Sequence, residues 1–215
     1  MNHPKSFPSR FLARWAAVGL LGSFAGCNVI PPAQEDAARY FILSDAAHAG
    51  SRAGQAPGGL RIGLRTVGLE SYLDHRTMVV RMGANEILFK DYRRWAEPLD
   101  AGIARVLRSE LLASPDVAQV SVEPFPVDQE RDFDVSIKVL RCEGSETRTG
   151  GYVASLEAVI EVTAPGAAPR VVSRKVFVAP DAAWDGRDFG RLASLLSADV
   201  AAVGREVLAG IAPKN

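Results

Sequence analysis

Two stretches decide the fold: DFDVSIKV at positions 132–139 and YVASLEAVIEV at positions 152–162. In the first, Phe133, Val135, Ile137 and Val139 alternate with Asp132, Asp134, Ser136 and Lys138. In the second, Tyr152, Ala154, Leu156, Ala158, Ile160 and Val162 alternate with positions that include Ser155, Glu157 and Glu161. A period of two sends one set of side chains to one face of a pleated strand and the other set to the opposite face. Each stretch therefore reads as a strand with one buried and one wetted face. Between them CEGSETRTGG, 142–151, reads as a polar hairpin loop, and 164–168 turns the chain into a third strand at 170–178. Long neighbouring strands of this kind predict a largely antiparallel sheet.

Working outward, two helices are expected to cover that sheet. One starts near Pro98, whose missing N–H is harmless in a first helical turn. It carries Leu99, Ile103, Val106, Leu107 and Leu111 on one face and stops at Ser114-Pro115. The other spans about 186–211, with Phe189, Leu192, Leu196, Val203, Val207 and Ile211 as its stripe and Asp185 as N-cap. Shorter strands are expected at 40–43 (YFIL), 60–67, 77–82, 86–89 and 117–122. The predicted class is α+β: a largely antiparallel mixed sheet packed with two main helices.

The 25 basic and 25 acidic residues of the 215-residue chain balance. Such a balance argues against a nucleic-acid partner, which calls for a basic surface. Of the two cysteines, Cys27 and Cys142, the first has another use, described next, so the fold must rest on packing and not on a disulfide.

Lys5, Arg10 and Arg14, with no acid among them, precede the apolar run WAAVGLLGSFAG at 15–26. That run has the length of a secretory h-region and falls short of the roughly 20 residues a bilayer-spanning helix needs. Its end, Phe24-Ala25-Gly26-Cys27, resembles the lipobox of bacterial lipoproteins, although Phe24 stands where leucine is usual. The resemblance implies acylation of Cys27, cleavage before it and anchoring by three acyl chains, each buried methylene contributing about 0.8 kcal/mol. Asn28, in place of a retaining aspartate, implies the outer membrane, facing the periplasm. The expected organisation is a signal peptide at 1–26, a lipidated tether at 27–39 and a single domain at 40–215. A loose Ala/Gly-rich loop is expected at 45–59.

The segment YLDHRTMVVRMGANEILFKDYRRWAEPLDAGIARVLRSEL, 72–111, resembles the PqiC family of lipoproteins, auxiliary components of ABC-type transporters. Tyr72-Leu73-Asp74, the strand ending at Arg81, and Arg94-Trp95-Ala96-Glu97-Pro98-Leu99 running into the helix carry the likeness, with Tyr40-Phe41-Ile42-Leu43 ahead of them. The resemblance implies no catalysis. It implies a partner, a PqiB-like inner-membrane protein built of MCE (mammalian cell entry) domains, and a shared role in lipid transport and envelope integrity. The other expected partner is the outer-membrane bilayer, through the acyl anchor, and a homo-oligomer is left open. A structural or assembly lipoprotein that never touches lipid is the competing reading.

No G-x-S-x-G elbow, H-E-x-x-H helix or C-x-x-C pair occurs, so neither catalytic residues nor a metal or cofactor are expected. Asp181, Asp185 and Asp188 lack EF-hand spacing. Tyr92, Arg93, Arg94 and Trp95 form a basic-aromatic cluster that suits a partner, with a plain surface loop as the alternative for the first three. Trp95 can equally pack over the first helical turn, Glu97 can serve the helix dipole, and Arg81 suits an ion pair or solvent more than a lipid headgroup contact.

Overall fold

The computed structural model describes residues 37–45, 58–126 and 128–211. The signal peptide, Cys27, most of the 27–39 tether and most of the 45–59 loop lie outside them. The elements are β1 (Arg39–Phe41), β2 (Leu60–Leu64), β3 (Gly68–Leu69), β4 (Thr77–Met82), β5 (Glu86–Trp95), α1 (Leu99–Ala113), β6 (Val117–Val122), β7 (Phe133–Glu146), β8 (Tyr152–Ala164), β9 (Arg170–Val178), β10 (Ala182–Trp184) and α2 (Phe189–Ile211). The class is α+β, as the sequence led us to expect.

β7 is the spine of the sheet. Along one edge β8 runs antiparallel to it, from Asp134 opposite Thr163 to Glu146 opposite Tyr152. Along the other edge β2, β3 and β4 follow one another, all parallel to it, at Ile62–Phe133, Gly68–Lys138 and Val80–Gly144. β6 lies outside β2, β5 and then β1 lie outside β4, and β9 and β10 flank β8.

The expected largely antiparallel sheet is corrected here, because five of the nine pairings are parallel. Alternation reports which face of a strand is buried and is identical for either direction. Direction follows from the connections. The parallel pairs join strands far apart in the chain, such as β2 with β6 and β4 with β7, with whole elements between them, and connections of that length are what parallel neighbours require.

A second correction concerns 142–151. The β7–β8 ladder shifts register between Val139 and Arg141, so Leu140 is a bulge. Before it Val135, Ile137 and Val139 face the helices; after it Cys142 does, and Arg141, Glu143 and Ser145 take the opposite face. The extra residue breaks the period of two, and polar side chains then fall at buried positions. The strand therefore continues through Glu146, and the loop shrinks to the turn closed by Thr147 N–H on the Gly151 carbonyl at 2.8 Å. β5 likewise runs past Phe89 to Trp95, while the pairs β3 and β10 carry too few residues to leave a periodic signal.

α1 buries Leu99, Ile103, Val106, Leu107 and Leu111, the expected stripe, at about 1.5–3 kcal/mol for each large side chain. α2 buries all six expected residues, but it starts at Phe189. Its cap is Asp188, whose Oδ1 accepts from Arg191 N–H at 3.1 Å; Asp185 instead holds the turn before, accepting from Arg187 and Asp188 N–H. The helices meet where Gly204 lies against Glu110; a Cβ there would come within 2.8 Å of the Glu110 Cγ.

Candidate functional site

The bulge creates the most unusual side-chain constellation among the described residues. Glu143 points to the face away from the helices, yet its side chain is fully buried. Its Oε1 accepts from Arg81 Nε on β4 at 2.6 Å and from Arg141 Nε at 3.2 Å. Arg141 Nη2 also donates to Ser145 Oγ at 2.8 Å. Tyr72, in the short 3-10 turn Ser71–Leu73, closes the group from above: Arg81 Nη2 donates to its hydroxyl at 3.2 Å, and that hydroxyl donates to the Leu140 carbonyl at 3.0 Å. A bulge leaves backbone groups without ladder partners, and here a tyrosine supplies one. Burial and the neighbouring Glu143 push the Tyr72 hydroxyl up to about 12, so it remains a donor at any physiological pH. Burial works against the Arg81 charge, but its bond to Glu143 outweighs that and raises it. Of the readings open for Arg81, the structure places it in an ion pair.

The Tyr92 to Trp95 cluster is divided by the fold. These residues form the end of β5 and not a loop, and β1 pairs with them in register, Arg39–Arg93, Tyr40–Arg94 and Phe41–Trp95. Trp95 is buried in the core, with its N–H on the Arg76 carbonyl. Tyr92 is 60% exposed. Arg93 lies over the Phe189 ring at 5.8 Å, and Arg94 Nε donates to the Asp91 carbonyl at 3.0 Å. Glu97 accepts from Arg105 Nη2 at 2.7 Å, and Arg105 reaches on to the Leu43 carbonyl at 2.6 Å, tying α1 to the chain after β1. Trp95 and Glu97 are thus structural parts of the segment, while Tyr92 and Arg94 remain on the surface.

Residues 41–207 match the family described as ABC-type transport auxiliary lipoprotein component. The chain belongs to that family. No curated protein matches it. Among solved structures it is similar to protein XCC0632 from Xanthomonas campestris, of family DUF330, at TM-score 0.66 and 16% identity, covering 80% of this chain and 93% of that one. A second similar structure, of an uncharacterized protein, gives TM-score 0.59 and 15% identity over 81% and 99% of the two chains. At such identities the likeness speaks for the fold alone. This auxiliary lipoprotein is therefore a membrane-anchored accessory of ABC-type transport, in a family that is generally non-catalytic.

Several of the lipoprotein's other polar groups have structural explanations. At the far end of β7, Asp134 is buried between Arg131 Nε at 2.8 Å and Arg65 Nη2 at 3.0 Å, and Asp132 is held below the usual carboxylate range by its bond to Arg61. In the sequence this network shows as like charges at even spacing: Arg61 on β2 and Arg65 just after it, and Glu130, Asp132 and Asp134 running into the start of β7. Burial pushes the Cys142 thiol up, with Glu143 and Asp199 adding to it, so it is protonated and inert. Two clefts of about 450 and 500 Å³ are lined by Gly58, Gly59, Arg61, Ala118, Gln119 and Asp132, and by Gly83, Ala84, Glu146, Thr147, Arg148 and Gly150. Neither lining carries a large apolar side chain for an acyl chain to lie against. No helix among the described residues is long and apolar enough to cross a membrane.

Proposed function

We propose that this auxiliary lipoprotein is a non-catalytic docking subunit at the periplasmic face of the outer membrane. In this reading residues 1–26 are removed, the acylated Cys27 is the anchor, 27–39 is the tether, and 40–215 folds as the receiving domain. Its partner is an inner-membrane MCE-domain protein that spans the periplasm, and the pair serves lipid transport and envelope integrity.

The observation that carries the docking role is β9. Among the described residues it pairs with β8 on one side only, so its outer edge offers unpaired backbone groups to an added strand. Val171, Val176 and Val178 are 53, 56 and 65% exposed on it. By their register with Thr163, Val159 and Glu157 they share the face away from the helices. An open edge beside an exposed apolar row is a liability in a monomer and a template for a partner. Arg174 and Lys175, paired with Glu161 and Glu206, keep that edge from being wholly apolar.

The test is a pull-down of the membrane-extracted, acylated protein against the MCE-domain protein encoded in the same strain. Binding lost in Val176→Asp with Val178→Asp is expected. Binding that survives those changes removes β9 from the interface, and absence of binding by two folded proteins promotes the structural or assembly role. Loss of palmitate labelling in Cys27→Ala checks the anchor separately.

A further inference from the structure

The corner formed by β1 and the end of β5 has a composition unlike the rest of the surface. Of the eight large hydrophobic side chains exposed among the described residues, four are Tyr40, Ile42, Phe89 and Tyr92. They stand among Arg39, Lys90, Arg93 and Arg94, with Asp91 the one acid in the two stretches 39–42 and 89–95. Elsewhere Arg61, Arg65, Arg81, Arg105, Arg131 and Arg141 are each ion-paired to a carboxylate. The four cations of this corner have no carboxylate partner among the described residues: Arg93 lies on a ring, and Arg93 and Arg94 donate only to backbone carbonyls.

The local fold explains why this corner protrudes. The β4–β5 ladder shifts between Thr77–Arg94 and Val79–Phe89, so the chain from Lys90 to Arg93 is surplus to β4, and β1 takes up the pairing only from Arg93 onward. Tyr40 and Arg94 are register partners, and Tyr92 stands two residues along the same strand. Each aromatic is thus set beside a guanidinium at an open edge, because among the described residues β1 pairs with β5 alone.

We propose that this corner is a second, non-covalent contact with the bilayer: an anionic phospholipid surface takes the Tyr40, Ile42 and Tyr92 side chains at headgroup level while Arg39, Lys90 and Arg94 meet its charge. The chain itself selects that occupant. β1 is the first strand after the tether, and only about a dozen residues separate Arg39 from Cys27. A chain of that length reaches at most about 40 Å even when fully extended. The β1 edge is therefore confined near the membrane at an effective concentration in the millimolar range, where even a weak patch stays occupied. Tyrosine belongs at the boundary of lipid and water, and unpaired cations beside it complement an anionic surface. Two contacts would hold the domain in one orientation, leaving β9 free to point elsewhere.

The inference rests on Cys27 being the anchor, so the assay leaves the anchor out. The mature chain from residue 27, with Cys27→Ser, keeps every buried hydrophobic residue, since these run from Leu43 to Ile211. It is floated with vesicles of phosphatidylcholine alone or with added phosphatidylglycerol, at low and high salt. Binding only to the anionic vesicles is expected. It should fall about tenfold at 0.5 M salt, where the screening length shrinks to a few ångströms, and as much in Arg39→Glu with Arg94→Glu. Both residues are exposed, and an unchanged melting curve shows that the variant is folded. In cells, a photoactivatable phenylalanine at position 92 should crosslink to lipid. Equal binding to neutral vesicles, no effect of the charge reversals, or a crosslink to a protein band would each overturn the proposal. Failure of palmitate labelling, by contrast, would speak only against the anchor.

Discussion

Replacing Arg81 by methionine tests whether the bulge-centred ion cluster holds the sheet together. Arg81 Nε lies 2.6 Å from the Glu143 Oε1, and the carboxylate is fully buried. At an effective dielectric of about 20 the gross attraction is about 6 kcal/mol, much of it offset by the cost of bringing both charges out of water. Arg81→Met keeps the stem but leaves that desolvated carboxylate behind, a change that typically costs about 3–5 kcal/mol. Arg141, 3.2 Å from the same oxygen, remains, which places the expected loss near the lower figure. For a domain of this size about 3 kcal/mol corresponds to a fall in Tm of roughly 6–12 °C. The decisive comparison is Arg81→Met with Glu143→Leu, which removes the stranded charge and should recover most of the loss. Urea unfolding of all four corners of the cycle measures it. If Arg81→Met alone leaves the midpoint within about 0.5 kcal/mol of wild type, the cluster does not hold the sheet, and Arg81 becomes a surface group awaiting a ligand.

Ile103→Asp puts a carboxylate at a position 1% exposed in the middle of the α1 stripe, and it should cost at least about 4 kcal/mol by urea unfolding. Asp199, on α2, is raised to about 6 by burial, and its Oδ2 has no hydrogen-bond partner. A carboxyl group whose folded value lies above its unfolded one, near 3.9, loses stability as pH rises between the two. Asp199→Asn should therefore stabilise the fold by about 1–2 kcal/mol at pH 7, with the gain vanishing below about pH 4. A melting series from pH 3.5 to 7.5 reads it.

Periodicity made the helices and the long strands legible, because every large apolar residue assigned to a helix stripe is buried. Strand direction was not legible, since β2, β3 and β4 would show the same alternation in either orientation. Nor was the second half of β7. One extra residue, Leu140, moves Glu143 to a buried position of the opposite face, and a buried glutamate between arginines is indistinguishable in sequence from a charged loop. The cluster at 92–95 was half legible. Its basic-aromatic composition marked a surface, but only the β1 pairing shows that Trp95 turns inward and that Tyr40 joins Tyr92 outside.

The residues that make this chain recognisable are mostly those that build it. Tyr72 caps the bulge, Arg81 neutralises the buried Glu143, Trp95 fills the core behind β1, and Glu97, just ahead of α1, holds Arg105 of that helix. Each serves a polar or packing demand with few alternative solutions, so each fixes a residue type. The surfaces assigned to contact make looser demands. A bilayer asks only for cations and aromatic rings near the tether, and an added strand asks for an open edge with β-branched side chains. Many sequences meet those demands, and so β9 and the β1–β5 corner carry no motif. The roles proposed for them rest on position in the fold: one edge is the first strand of the domain, the other lies beside β8 on the far side of the β7 spine.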